Sequence, residues 1–272
     1  MTFTQSIILG IIQGLSEFIP ISSSGHLVLA PFLFDWTINP EELFIFDVLV
    51  QVATLLAVFV YFRHDLSNIL RAILQGLRHN RPFEDPHARI GWFLILATIP
   101  AGMAFLLFNE TFRLAFKSPM AAALFLLVTA ALLTVSERKG KRDRKFENIT
   151  WQDALTIGVF QILAIFPGIS RSGATIAGGM FRGLDRSSSA RFSFLISIPV
   201  MLAGGLVAVF ELIKIPNFIE LLPIFFVGFI TAALVGYIAI HWLLRYLSKR
   251  PLYVFAIYCA IFGLINLGLL IR

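Results

Sequence analysis

The chain has 272 residues, 58% of them hydrophobic and only 14% charged, with a mean hydropathy of +0.84. That balance excludes an ordinary soluble domain, and the continuous rather than alternating apolar runs exclude a membrane barrel. The net charge of +6 does not signal nucleic acid: the basic residues gather between apolar runs, as in cytoplasmic loops, and no groove-reading module accompanies them.

In chain order, the first apolar stretch, 3–34, is split into two half-length pieces by Pro20, Ser22, Ser23 and Ser24. Runs over 43–62, 90–108 and 119–136 then read as full membrane spans. After a basic loop, 137–152, the stretch 153–181 is split in the same manner by Pro167, Gly168, Ser170 and Ser172, and spans follow over 192–211, 221–244 and 252–271. The expected fold is an all-α polytopic membrane protein with six transmembrane helices and two re-entrant helical hairpins. The first Lys or Arg is Arg63, so no basic leader marks a cleaved signal peptide. The single cysteine, Cys259, lies in an apolar run and reads as a packed thiol. Residues 63–89 read as a polar loop carrying His64, His79 and His87, and His241 reads as snorkelling near a span end.

Seventeen of the 22 Lys and Arg residues fall in four gaps, 63–89, 137–152, 182–191 and 245–251. Only Arg113, Lys117, Lys214 and Arg272 fall in the remaining gaps and ends, with Arg171 left over. The two sets lie on opposite sides of the membrane only if each split stretch enters and returns on one side. Each half is then one hairpin plus three spans, and an odd number of spans inverts the second half relative to the first. A single membrane domain, 1–272, is expected, with inverted repeats 1–136 and 153–272 about the junction loop 137–152.

The two breaks are copies of each other. G-I-I-Q-G-L-S-E-F-I-P-I-S-S-S-G, residues 10–25, returns 148 residues later as G-V-F-Q-I-L-A-I-F-P-G-I-S-R-S-G, residues 158–173, with eight of sixteen positions identical. Polar, irregular backbone at membrane depth is tolerated only where it lines a cavity or is buried in protein. A duplicated break therefore points to a site assembled between the halves.

The chemistry sits in the mismatches. Glu17 faces Ile165 across the repeat, Ser23 faces Arg171, and His26 faces Ala174. A carboxylate at membrane depth costs roughly 2.5–3.5 kcal/mol on insertion scales, so Glu17 needs a partner or a wet cavity; packing against a neighbouring helix is the bland alternative. Arg171 suits bidentate contact with phosphate oxygens, and an internal pair with Glu17 is compatible with that. His26 follows Ser23 by three residues, so a Ser/His pair for proton transfer is expected. Gln13 shares a helix face with Glu17. Small and hydroxyl residues at Ser22, Ser24, Gly25, Ser170, Ser172, Gly173 and Thr175 let backbone N–H groups and hydroxyls approach an anion; they also serve to cap half-helices. Mg²⁺ usually binds through one or two carboxylates plus substrate phosphates, which Glu17 suffices to support. The site thus reads as one for a phosphate-rich lipid headgroup. Inverted repeats with broken helices also mark transporters, so a lipid-phosphate flippase is the alternative. Small residues such as Gly178 and Gly179 pack within or between chains, which leaves a homodimer open.

The segments Q-G-L-S-E-F-I-P-I-S-S-S-G-H (13–26) and P-G-I-S-R-S-G-A-T (167–175) resemble the two motifs of the undecaprenyl pyrophosphate phosphatases of the bacitracin-resistance type. F-D-V-L-V-Q-V-A-T (46–54) and F-S-F-L-I-S-I-P (192–199) are similar to further segments of that family, and length and span order agree over the whole chain. The resemblance implies hydrolysis of the C55 isoprenyl pyrophosphate carrier to its monophosphate, recycling it for cell-wall synthesis. It also implies a divalent metal ion, Mg²⁺ or Ca²⁺, and a multi-pass protein of the bacterial plasma membrane with its cavity open to the outer face. Carried over by position, Glu17, Ser23, His26 and Arg171 are the implied catalytic residues. Gln13 stands where the family often has Glu, leaving one carboxylate fewer at the metal and Glu17 as the implied ligand. Whether Ser23 or a water attacks is left open.

Overall fold

A computed structural model describes residues 1–116, 118–212 and 218–271, with the side chains of 109–116, 204, 206–212 and 218–219 outside that description. Eleven α-helices and no β-sheet form among the described residues: α1 (Phe3–Phe18), α2 (Ser23–Leu33), α3 (Pro40–Tyr61), α4 (Arg63–Arg78), α5 (Pro86–Phe116), α6 (Pro119–Lys139), α7 (Trp151–Leu163), α8 (Arg171–Phe181), α9 (Arg186–Leu212), α10 (Phe218–Leu247) and α11 (Tyr253–Leu270). Among the described residues five stretches are long and apolar enough to cross a membrane: Pro40–Tyr61, Pro86–Phe108, Pro119–Lys139, Glu220–Leu247 and Tyr253–Leu270. The sixth expected span, 192–211, falls on α9, part of whose side chains lie outside the described residues. Arg113, Lys117, Lys214 and Arg272 also lie there.

The repeat extends into the helix starts. Thr2 opens α1 with a capping box closed by Gln5, and Thr150, again 148 residues on, opens α7 with one closed by Asp153. Ser22 and Ser170 cap α2 and α8 by accepting from the Gly25 and Gly173 N–H groups. Each of the two hairpins packs along a helix from the other half of the chain, α1 along α10 and α7 along α5. Both approaches are too close for a side chain. A Cβ on Gly10 would lie 2.7 Å from the Gly228 carbonyl oxygen, and one on Gly158 would lie 2.4 Å from that of Ala97.

Ion pairs place the helix ends. The Met1 amino group meets Glu42 at 2.6 Å, so α1 starts beside the start of α3, where α2 also delivers the chain. Asp153 accepts from Arg182 at 2.9 Å, so α7 starts where α8 ends. Each hairpin therefore returns to the end it came from. Arg191 reaches Asp65 at 2.8 Å, Arg142 and Arg186 both hold Glu137, and Glu137 accepts the Leu252 N–H at 3.1 Å. All four basic gaps are gathered at one end of the bundle, where the second hairpin enters. The first hairpin enters at the opposite end, separated by the length of α3, about 33 Å at 1.5 Å per residue.

The stretch 63–89 departs from the expected polar loop, because 63–78 is the amphipathic helix α4. Ile69 and Ala72 are buried, with Ile69 and Ile73 against Gly91 of α5, while Leu70, Leu74 and Leu77 form an exposed apolar stripe. His64 is helical and His79 caps the helix, its ring 2.8 Å from the Gln75 carbonyl. Cys259 is buried as expected. His241 lies 3.4 Å from the Tyr61 hydroxyl.

Asp153 anchors the junction loop. Burial alone would raise its carboxyl, but hydrogen bonds from Arg144, Thr150 and Arg182 outweigh that and hold it at about 2. Removing one partner of a buried ionic network costs on the order of 3–5 kcal/mol, so Asp153→Asn is expected to lower the thermal midpoint in detergent by several degrees. Because the folded pKa lies below the unfolded value, about 3.9, this contribution is complete above pH 4 and is lost as pH falls toward 2. Unfolding followed by circular dichroism across that window checks it; an acid-insensitive difference between wild type and variant would count against it.

Candidate active site

The two loops meet. A Cβ on Gly25 would lie 3.1 Å from the Gly168 Cα, and one on Gly173 would lie 3.5 Å from the Pro20 side chain. Ser23 and Arg171, equivalent in the repeat, are the first residues of α2 and α8. Two helix N-termini, each capped by a serine on its third N–H group and each with a positive dipole end, are thus brought together at the junction.

Glu17 lies in the last turn of α1 and sits between them, 8% exposed. Its Oε1 accepts from Arg171 Nη2 at 2.6 Å, and its Oε2 accepts from Ser23 Oγ at 2.6 Å and from Gln13 Nε2 at 3.1 Å. Arg171 also approaches the Ser193 carbonyl at 3.4 Å and the Met201 sulfur at 4.0 Å. The internal pair and the anion-binding arginine anticipated from the repeat therefore occupy one place. Ser23, Glu17 and Arg171 form a chain of hydroxyl, carboxylate and guanidinium, with one side chain from each of three helices.

His26 is not hydrogen-bonded to Ser23. Its Nδ1 lies 2.7 Å from the Ser22 carbonyl oxygen and its Nε2 lies 2.7 Å from the Tyr258 hydroxyl on α11. The ring stacks on Phe262, with centroids 4.7 Å apart and planes at 5°. A Ser/His spacing of three cannot reveal this, because the ring is aimed by a carbonyl one residue before the serine and by a helix 232 positions away. The carboxylate, not the imidazole, holds the serine.

The other expected residues divide. Ser22, Ser170, Ser172 and Thr175 are essentially inaccessible and their hydroxyls are occupied. Ser22 and Ser170 cap helices and lie beside Ser24 Oγ at 3.3 Å and Ser172 Oγ at 3.1 Å, and Thr175 meets Ser193 Oγ at 2.6 Å. They shape the loops, whereas Ser23, Ser24 and Arg171 keep partial exposure. Gly25 and Gly173 supply the close approach of the tips. Three supporting residues were not anticipated. Thr54 receives Gln13 Nε2 at 3.4 Å; Thr129 donates to the Gly168 carbonyl at 2.9 Å and accepts the Ser170 N–H at 3.0 Å; Tyr258 holds His26. Thr54 sits in the segment 46–54 singled out by resemblance, while Thr129 and Tyr258 carry no local signal.

Among the described residues no group of three or more His, Cys, Asp or Glu side chains could hold a metal. The residues present nonetheless fit a hard cation that takes further oxygens from its substrate. Gln13 Oε1 is a buried amide oxygen with no hydrogen-bond partner, on the helix face that carries Glu17.

The fold and the site define a polytopic helical membrane protein whose two broken helices assemble a buried Ser–Glu–Arg centre. The family model described as bacitracin resistance protein BacA matches residues 6–265, and the chain belongs to that family. It is 39% identical over 274 residues to a Thermomicrobium roseum protein named undecaprenyl-diphosphatase, covering 98% of each chain. Proteins of the same name from Myxococcus xanthus and Methanosphaera stadtmanae are each 37% identical, over 99% and 97% of this chain and 90% and 96% of their own.

Gly168 holds φ +94, and a Cβ there would lie 2.1 Å from the Ala122 carbonyl oxygen. Gly168→Ala is therefore expected to destabilise by more than about 1 kcal/mol, through backbone strain and displacement of the second tip from α6. A thermal midpoint equal to wild type would show that the loop accommodates the methyl and that this packing is looser than described.

Proposed function

We propose that the protein is an undecaprenyl-diphosphatase, hydrolysing undecaprenyl pyrophosphate to undecaprenyl phosphate and inorganic phosphate, and so returns the lipid carrier to cell-wall synthesis and gives bacitracin resistance. The observation that carries the reading is the position of Glu17, which grips a serine hydroxyl through one oxygen and an arginine through the other. Binding alone needs the arginine and the helix N-termini; it does not need a carboxylate on the serine proton. That separates a phosphatase from a flippase.

Arg171 exchanges Glu17 Oε1 for oxygens of the incoming pyrophosphate, held also by the first-turn N–H groups of α2 and α8. Glu17 keeps Ser23 on Oε2. Glu17 takes the Ser23 proton as Oγ attacks the terminal phosphorus. The Oγ–P bond forms and the P–O bond to the lipid monophosphate breaks, with Arg171 and the loop amides balancing charge on the phosphoryl oxygens. Glu17 passes the serine proton to the departing lipid phosphate, then deprotonates a water that attacks the phosphoserine phosphorus, and returns the water's proton to Ser23 Oγ as the Oγ–P bond breaks and inorganic phosphate leaves. A divalent cation, Mg²⁺ or Ca²⁺, would be held by Glu17 and Gln13 together with substrate oxygens, and would supply neutralisation of pyrophosphate charge.

The gathered basic end supports a cytoplasmic location for the four Arg- and Lys-rich gaps. The first hairpin then enters from the outside, and residues 1–136 and 153–272 are an inverted pair joined by 137–152. The protein sits in the plasma membrane with its site reached from the outer face. The exposed leucine stripe of α4, flanked by Arg63, Arg71 and Arg78, suits the inner lipid interface.

Purified protein in detergent is expected to release phosphate from undecaprenyl or farnesyl pyrophosphate, with the rate falling on chelation and returning with Mg²⁺ or Ca²⁺. Ser23→Ala and Glu17→Gln are each expected to lower kcat by about 10³-fold or more, and Arg171→Ala to raise KM as well as lower kcat. Full release by Ser23→Ala would remove serine attack and leave water as the nucleophile; full release by Glu17→Gln would remove the mechanism.

A further inference from the structure

Ser22, immediately before the proposed nucleophile, holds φ +73 and ψ +98. For a residue with a Cβ this is the left-handed half of the map, and such strain persists only when the surroundings over-determine it. The second loop is an internal control. Ser170, its equivalent in the repeat, also caps its helix and also accepts from a glycine N–H three residues on, yet relaxes to φ −67. The cap alone does not require the strained conformation. The second loop takes its positive φ at Gly168, which stands opposite Pro20, and among the other differences between the copies the residue four positions after the cap is His26 in the first and Ala174 in the second.

The hydrogen bonding of His26 is directional. A carbonyl oxygen only accepts, so Nδ1 carries the proton and donates to Ser22 O at 2.7 Å. In the neutral ring Nε2 is then an acceptor, and the Tyr258 hydroxyl, 2.7 Å away, donates to it. Phe262 on the same helix holds the ring plane. Both nitrogens are occupied, so the imidazole is committed to the Ser22 carbonyl on one side and to α11 on the other. The Ser22 carbonyl belongs to the peptide that leads into Ser23, whose Oγ must reach Glu17 at 2.6 Å.

We propose that His26 and Tyr258 form a positioning clamp, in which Tyr258 sets the tautomer of His26 and His26 pins the Ser22 carbonyl, so that the left-handed turn aims Ser23 at Glu17. The proposal rests on the phosphatase reading and changes the part played by His26 within it. The histidine does not carry the serine proton; it holds the backbone that presents the serine. Tyr258, outside both loops, becomes part of the same device.

The variants Tyr258→Phe, His26→Asn and His26→Ala separate this from its rivals. Tyr258→Phe keeps the stacked ring and removes one hydroxyl; kcat is expected to fall about tenfold, with KM unchanged. The amide N–H of asparagine can stand where Nδ1 stands, so His26→Asn is expected to stay within about tenfold of wild type. His26→Ala is expected to lose at least about a hundredfold in kcat, with KM again little changed. Wild-type kcat in Tyr258→Phe overturns the clamp. So does a His26→Asn protein as inactive as His26→Ala while both melt like wild type, since that is the behaviour of a proton carrier. A readout without substrate keeps the clamp distinct from the phosphatase reading. Nitrogen NMR of the His26 ring should find Nδ1 protonated, with the Nε2 resonance displaced in Tyr258→Phe; a neutral ring protonated on Nε2 overturns the clamp even if the enzyme is active. Wild-type protein that releases no phosphate would defeat the functional reading alone.

Discussion

A carboxylate and a guanidinium at membrane depth have to satisfy each other, and the rest of the molecule is arranged around that demand. Neither Glu17 nor Arg171 has another charged partner among the described residues, and each is largely shielded from solvent. Unpaired, either would cost several kcal/mol, and pairing recovers this only in good geometry. The pair joins residues 154 positions apart, at the tip of one hairpin and at the start of the last half-helix of the other. So the tips must touch, the tips must be small, and the helices behind them must be held to within a fraction of an ångström. The same pair is poor as a stabilising device and well suited to exchange. Under the proposed function a phosphate-rich anion would offer Arg171 a better partner, while Glu17 keeps its hold on Ser23.

The supporting packing follows from that requirement. A hairpin that enters and returns on one side cannot be anchored across the membrane by its own two ends, so each is anchored laterally against the opposite half of the chain. Gly10 and Gly158 let α1 and α7 lie directly on the carbonyls of α10 and α5, giving dispersion contacts where no hydrophobic drive between helices exists. The loops are pinned from behind by neighbours with one polar atom each: Thr129 on Gly168 and Ser170, Cys259 near the Pro20 carbonyl at 3.8 Å, and His26 on Ser22. The broken backbone at the tips is thereby satisfied inside the protein, which is the condition for irregular structure at this depth.

Much of this is legible in the sequence. Proline and clustered serines cannot continue a membrane helix, so the breaks were visible; identical residues at constant offset tied the breaks together; and a lone arginine outside every loop had to be paired or used. What escaped has a common cause. The direction of a side chain at a helix start depends on which distant group it meets, and spacing within the motif is silent about α6 and α11. Hence Ser23 and His26, three apart, read as a pair although each turns to a different partner. Residues 63–78 escaped for another reason. Arginine and histidine content suggested a loop, while the apolar positions Leu66, Ile69, Leu70, Ile73, Leu74 and Leu77 follow helical spacing, with one edge packed on α5 and the other left for lipid.

The two copies show how a symmetric frame became a one-sided site. Each retains the threonine capping box, the glutamine, the serine cap and the glycine at the tip, and the capping box, the serine cap and the glycine do the same structural work in both. Where they diverge, the consequence can be traced atom by atom. Gln13 donates to Glu17, but Gln161 faces a position where the acid is Ile165, and its buried amide makes no hydrogen bond among the described residues. Ser22 is strained and clamped by His26, while Ser170 is relaxed beside Ala174. The first residue of the second half-helix is a serine in one copy and an arginine in the other, and both meet the same carboxylate, Glu17. A buried amide left without a partner costs stability rather than adding to it. With Ile165 opposite Glu17 and Arg171 opposite Ser23, the shared junction holds a single carboxylate, and that carboxylate joins the hydroxyl of one loop to the guanidinium of the other.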